Sequence, residues 1–125
     1  MRDEFELKLA LSPQQLAALP RNSFLRALVQ QQDAPKRLVS TYYDTPARLL
    51  YKRAMALRVR RSGRDRIQTL KVKANGTSGL QHFQEYEAAV SGDRPDLNRI
   101  EDPDLKALFL ETGLAAEIAP VFTTD

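Results

Sequence analysis

Glu4, Glu6 and Lys8 recur at every second position of the opening run EFELKLAL. In an extended chain that spacing turns all three to one side, while Phe5, Leu7 and Leu9 turn to the other. Two carboxylates so placed can bracket one hard divalent cation such as Mg²⁺ or Mn²⁺, which prefers oxygen donors and retains several waters. The same parity holds further along. Arg58 and Arg60 share a face opposite Leu57 and Val59, and Lys71 and Lys73 share one opposite Leu70 and Val72. Glu85 and Glu87 pair against Tyr86, Ala88 and Val90. Each of these four segments offers one charged and one apolar face. If the apolar faces pack against helices, a curved sheet encloses cations and carboxylates together, an interior suited to polyphosphate with metal. If the charged faces meet solvent, the pattern is that of a common amphipathic antiparallel sheet. Like signs recur within each strand, whereas a solvated sheet tends to intersperse them, and this favours the enclosed arrangement.

Other residues carry less. His82 is the only histidine, which rules out a multi-histidine metal site and leaves it a packing or surface residue. Ser40, Thr41 and Thr69 have no histidine placed to activate them. Tyr42 and Tyr43 could stack on bases but are expected in the core or on the sheet surface. Asp44, directly before Thr45-Pro46, reads as a turn or cap residue rather than a ligand.

These residues need strands to hold them, and the chain supplies the pattern. Its 125 residues are enough for one domain. With 42% hydrophobic and 28% charged residues it has a globular composition. The absence of cysteine excludes disulfides and thiolate metal sites and fits a reducing compartment, so a cytoplasmic location is expected. No apolar run approaches the length needed to span a bilayer, and no membrane partner is expected. The net charge of +3 conceals a local cluster, Arg58, Arg60, Arg61, Arg64, Arg66, Lys71 and Lys73 against a lone Asp65, which suits an anionic partner or a solvated hairpin.

The opening strand leads at Ser12-Pro13 into a short helix, QQLAAL. Residues 21–31 have helical spacing, capped by Asn22 or Ser23. After a break at 33–35, KRLVSTYYDT reads as a strand ending at Asp44. Thr45 as N-cap and Pro46 as first helical residue would open the helix ARLLYKR. MALRVRR and RIQTLKVKA, joined by residues 62–65, form an antiparallel hairpin. A flexible stretch, 75–79, precedes the strand HFQEYEAAV. A loop follows, then a helix from Pro103 to Glu111 closed by Gly113, and PVFTTD begins another strand. The expected fold is α+β, an antiparallel sheet with flanking helices.

Taken in order, EFELK (an ExExK motif), STYYDTPARLLYKRAMALRVRR, QTLKVK and EYE resemble the N-terminal part of the CYTH domain of the triphosphate tunnel metalloenzymes. The resemblance implies an antiparallel β tunnel lined by basic residues that grip a triphosphate and glutamates that hold Mg²⁺ or Mn²⁺. It places Glu4, Glu6 and Lys8 at the catalytic centre, the two glutamates as metal ligands. Lys8 would contact phosphate together with Arg58, Arg60, Lys71 and Lys73, and Glu87 and Glu85 would be further metal ligands on the next strand. An arginine common before the later glutamate is replaced here by Phe83 or Gln84. The implied activity is metal-dependent hydrolysis of a triphosphate, with inorganic triphosphate preferred over the substrates of thiamine triphosphatases and class IV adenylate cyclases. The alternative is a non-catalytic module that binds polyphosphate or nucleic acid, of which nucleic acid is the less expected. The family domain is longer, so residues 1–125 are expected to be the N-terminal part of one domain. Its open sheet edges are expected to be covered in a homodimer.

Overall fold

A computed structural model of the protein describes residues 1–29, 34–74 and 80–125. Among them one antiparallel sheet is formed by β1 (Arg2–Leu7), β2 (Val39–Asp44), β3 (Met55–Ser62), β4 (Asp65–Ala74), β5 (Leu80–Ala89) and β6 (Ala119–Thr124), in the spatial order β1-β5-β4-β3-β2-β6. Helices α1 (Pro13–Ala18), α2 (Ser23–Leu28), α3 (Leu49–Lys52), α4 (Pro103–Glu111) and α5 (Leu114–Glu117) complete an α+β fold.

The expected hairpin is β3–β4, closed by the pair Ser62 and Asp65, with Gly63 in the left-handed conformation (φ 60°) that turns the chain back. Cross-strand register then aligns one apolar row. Tyr43 faces Leu57, Leu57 faces Leu70 and Leu70 faces Tyr86 across β2, β3, β4 and β5. All four are buried, and Ile100, Phe109 and Leu114 cover them from the segment that carries α4 and α5. That segment is tied down by polar contacts as well. The buried Gln68 side chain donates to the Asp96 carbonyl at 3.1 Å and accepts from the Asp96 amide at 2.7 Å. The Tyr43 hydroxyl donates to the Asp93 carbonyl. Burial pushes the phenols of Tyr43 and Tyr86 up from their ordinary value, with Asp93 and Asp102 adding to the respective effects. Asp102 caps α4 by accepting from the amides of Asp104 and Leu105, and Gly113 (φ 75°) separates α4 from α5.

Two expectations need correction. The helix after Asp44 starts at Leu49, not at Pro46, because residues 45–48 make a turn ending in Arg48 at φ 56°. Thr45 still serves the helix, its hydroxyl accepting from the Leu49 amide at 3.0 Å. Asp44 caps it too, accepting from the amides of Leu50 and Tyr51, as its position before the turn suggests. Second, not all the helices cover the sheet. α1 and α2 bury none of their residues and pack chiefly on the turn between them, so that their apolar side chains Leu16, Phe24 and Leu28 stay exposed instead of meeting the sheet. Phe5 and Leu7 on the outer side of β1 consequently remain exposed. The end of the helix expected over 21–31 and the stretch expected to be flexible, 75–79, lie outside the described residues. No helix among the described residues is long and apolar enough to cross a membrane.

Phe109 is fully enclosed, so Phe109→Ala is expected to cost about 3–5 kcal/mol of unfolding free energy. Urea denaturation measures this, and a loss below about 1 kcal/mol would mean that α4 does not seal the core.

Candidate functional site

The register that buries the apolar row fixes what shares the opposite face. Tyr42, Arg58, Thr69 and Glu87 stand in line across β2, β3, β4 and β5, beside a second line of Ala56, Lys71, Glu85 and Arg2 that reaches β1. Lys73, Phe83 and Glu4 form a third, with Glu6 next to it opposite Gln81. Cations therefore occupy the middle of this face, on β3 and β4, and carboxylates its β5–β1 side.

The two sides meet in ion pairs. Lys71 Nζ lies 2.6 Å from Glu4 Oε2 and 3.9 Å from Glu6 Oε2, and 5.4 Å from the centre of the Phe83 ring. Lys8, past the end of β1 and well exposed, is 3.8 Å from Glu6 Oε1. Arg2 donates to Glu85, whose side chain is only 2% exposed, and reaches Glu87 at 3.4 Å. The hydrogen bond and charge of Glu85, followed by the charge of Glu87, hold the Arg2 guanidinium above the usual arginine range. Arg60 donates through Nε to the buried Ser40 hydroxyl at 2.9 Å.

A cavity of about 610 Å³ opens on this face, lined by Glu6, Tyr42, Tyr51, Arg58, Thr69, Lys71, Lys73 and Phe83, among others. Two buried polar atoms on this face make no hydrogen bond among the described residues, Arg58 Nε and Glu4 Oε2, the latter despite its ionic contact with Lys71. A buried donor without an acceptor is costly, and an anion entering the cavity would relieve Arg58. Glu4 Oε2 is instead held by the Lys71 ammonium, whose place a cation would take. No three acidic or histidine side chains gather as a ready metal cage among the described residues. Glu4 and Glu6 nevertheless supply the oxygen donors that a hard cation takes, one or two carboxylates with waters and phosphate oxygens completing the shell.

Of the residues singled out from sequence, the structure brings Glu6, Arg58, Lys71 and Lys73 to the cavity and Glu4 to its edge. Arg60 turns to Ser40, Glu85 and Glu87 turn to Arg2, and Lys8 stands exposed beside Glu6. Phe83 is on the charged face and Gln84 on the apolar one. His82 has only a packing role, stacked on Phe5 with its ring 4.5 Å away and bonded to Asp3 at 2.9 Å. Sequence reasoning missed Arg2, although it lies two residues before Glu4 and so on the same strand face. Thr69, two before Lys71, was legible by the same parity. Tyr42, expected as core or plain sheet surface, lines the cavity and stacks on Phe122 at 4.6 Å.

Comparison with known proteins gives three findings. A family model described as "CYTH domain" matches residues 2–125. An inorganic triphosphatase of Haemophilus influenzae is 32% identical over 126 residues, covering 100% of this chain and 34% of the relative. The chain thus spans about a third of that relative's length. A crystal structure of a Bacillus halodurans protein, provisionally described as an adenylate cyclase, superposes with a TM-score of 0.51 at 15% identity, over 97% of this chain and 60% of that one. The likeness bears on the fold alone.

Removing Arg2 strands a buried carboxylate, so Arg2→Met is expected to lower the melting temperature more than Arg2→Met/Glu85→Gln, in which neither charge remains. A thermal-melt double-mutant cycle reads this, and additive effects would mean that the pair does not hold β1 to β5.

Proposed function

This chain belongs to the CYTH domain family, and from that premise we propose that the charged face of its sheet binds a triphosphate and supports metal-assisted hydrolysis of its phosphoric anhydride. The observation that carries this reading is the segregation of Arg58, Lys71 and Lys73 beside Glu4 and Glu6 around one cavity. Inorganic triphosphate is the preferred substrate, in line with the inorganic triphosphatase to which the chain is similar.

In this mechanism the chain positions and neutralises. Lys71, Lys73 and Arg58 take the phosphate oxygens and offset the charge that spreads over the transferring phosphoryl group. The Arg58 Nε, buried without an acceptor, would take one such oxygen. Lys8, exposed beside Glu6, would contact a terminal phosphate, and Arg60, bonded to Ser40, would be a secondary contact. Glu4 and Glu6 would hold Mg²⁺ or Mn²⁺, with Glu87 a further oxygen donor, while the buried Glu85 serves mainly to hold Arg2. The cation would supply charge neutralisation and orient the attacking water. Residues 1–125 are proposed as one part of a single domain. The outer edges of β1 and β6 are unpaired among the described residues, and pairing with a second copy is proposed as their cover.

Glu4→Gln and Glu6→Gln are each expected to reduce Mg²⁺- or Mn²⁺-dependent phosphate release from tripolyphosphate by at least about 100-fold, the scale of a lost electrostatic contact to the reacting centre. Release that persists in both variants would sink the hydrolytic reading. Salt-sensitive, metal-indifferent polyanion binding without hydrolysis would support the binding module instead. In light scattering, the mass of a single chain would exclude the second copy.

A further inference from the structure

Lys71 stands between two kinds of partner. Its ammonium contacts Glu4 and Glu6, yet it lines the same cavity as Arg58 and Lys73. The lysine side chain is 20% exposed and the glutamates 30% and 34%, so the contact is screened less than on an open surface but is not sealed. Among the described residues it is Lys71 and the looser Lys8, and not Lys73, that pair with these carboxylates. The carboxylate pair is therefore already matched by two ammonium groups.

We propose that Lys71 is an exchangeable counter-ion that couples the two ligands of the site, pairing with Glu4 and Glu6 until a polyphosphate takes it and thereby opening the carboxylates to a divalent cation. The inference rests on the function proposed above and specifies its order of events. A cation approaching alone meets carboxylates that are already neutralised, and must displace an ammonium that gains no new anion. A polyphosphate approaching alone must draw Lys71 from two half-buried carboxylates and leave them uncompensated, which is unfavourable. When both arrive, the cation replaces Lys71 on Glu4 and Glu6 while Lys71 moves to phosphate, and every charge keeps a partner. Binding of each ligand thus strengthens the other, and by linkage the factor is the same in both directions. No bond is made or broken in this step. A lysine suits it because its point charge sits on a flexible stem, unlike the planar fork of Arg2.

The test is Mn²⁺ binding by the full protein, read from the paramagnetic resonance of the free ion. Inorganic sulfate serves as the anion, because it chelates Mn²⁺ weakly in solution. In the unmodified protein, saturating sulfate should tighten Mn²⁺ binding by about fivefold or more. Lys71→Gln should bind Mn²⁺ about tenfold more tightly without any anion, and sulfate should no longer change that affinity. Lys73→Gln should weaken sulfate binding but leave the Mn²⁺ affinity measured without sulfate as it is. An unchanged or lower Mn²⁺ affinity in Lys71→Gln overturns the inference, as does a sulfate-insensitive affinity in the unmodified protein. The latter measurement decides the matter even if the variant does not fold. Tripolyphosphate hydrolysis that survives alongside uncoupled binding removes the inference alone, whereas no Mn²⁺ binding by any form removes the proposed function with it.

Discussion

Leu57 and Leu70 face one another across β3 and β4 with no exposure to water, and the arrangement of charge on the other side of the sheet depends on keeping them there. A strand alternates its side chains with a period of two, so a slip of one residue would bring Arg58 and Lys71 into the core and expose both leucines. The cost of burying unpaired charge excludes that register. The apolar row from Tyr43 to Tyr86 thus fixes the charged face as well as the core. The Gln68 amide, bonded twice to Asp96, adds a specific polar contact that holds the covering segment in place.

Setting like charges at alternate positions has an electrostatic cost that an interspersed surface avoids. The sheet offsets it by strand order. β5 lies between β4 and β1, so the carboxylates of β5 and β1 sit next to the lysines of β4. Lys71 reaches across to Glu4, and Arg2 reaches back to Glu85 and Glu87. Arg58 gains no such partner among the described residues, and its buried Nε is left without an acceptor in a residue that lines the cavity.

What the sequence disclosed and what it did not divide along one physical line. Strand parity is local, so the faces of Glu4, Glu6, Arg58, Lys71, Lys73, Glu85 and Glu87 could all be read from spacing. So could the β3–β4 hairpin and the capping role of Asp44, which rest on short-range turn chemistry. Pairing between distant strands is not local. Nothing near Arg2 announces that it will meet Glu85, and Tyr42 meets Phe122 only because β6 returns to lie beside β2. The helix after Asp44 begins three residues later than its sequence suggests, because Thr45-Pro46 can open either a helix or a turn, and the left-handed Arg48 decides for the turn. The covering role expected of the helices falls to α3, α4 and α5, which bury Leu50, Phe109 and Leu114, whereas α1 and α2 bury nothing.

The ion pairs of this face differ in a way that separates structure from function. Glu85 is almost fully buried, and Arg2 lies over it with a rigid multidonor fork, so breaking that pair exposes a buried charge with nothing to replace its partner. Such a pair can fix β1 on the sheet but cannot take part in ligand exchange. Glu4 and Glu6 keep about a third of their surface, and their partners are lysines on flexible stems. A pair of that kind can change partners at modest cost if the incoming ligands bring matching charge. A site for a highly charged anion and its cation needs charges that are held in register yet free to be exchanged. On the function proposed, this sheet would meet both needs, with the fixed pair at the start of β1 and the looser one two residues further along the same strand.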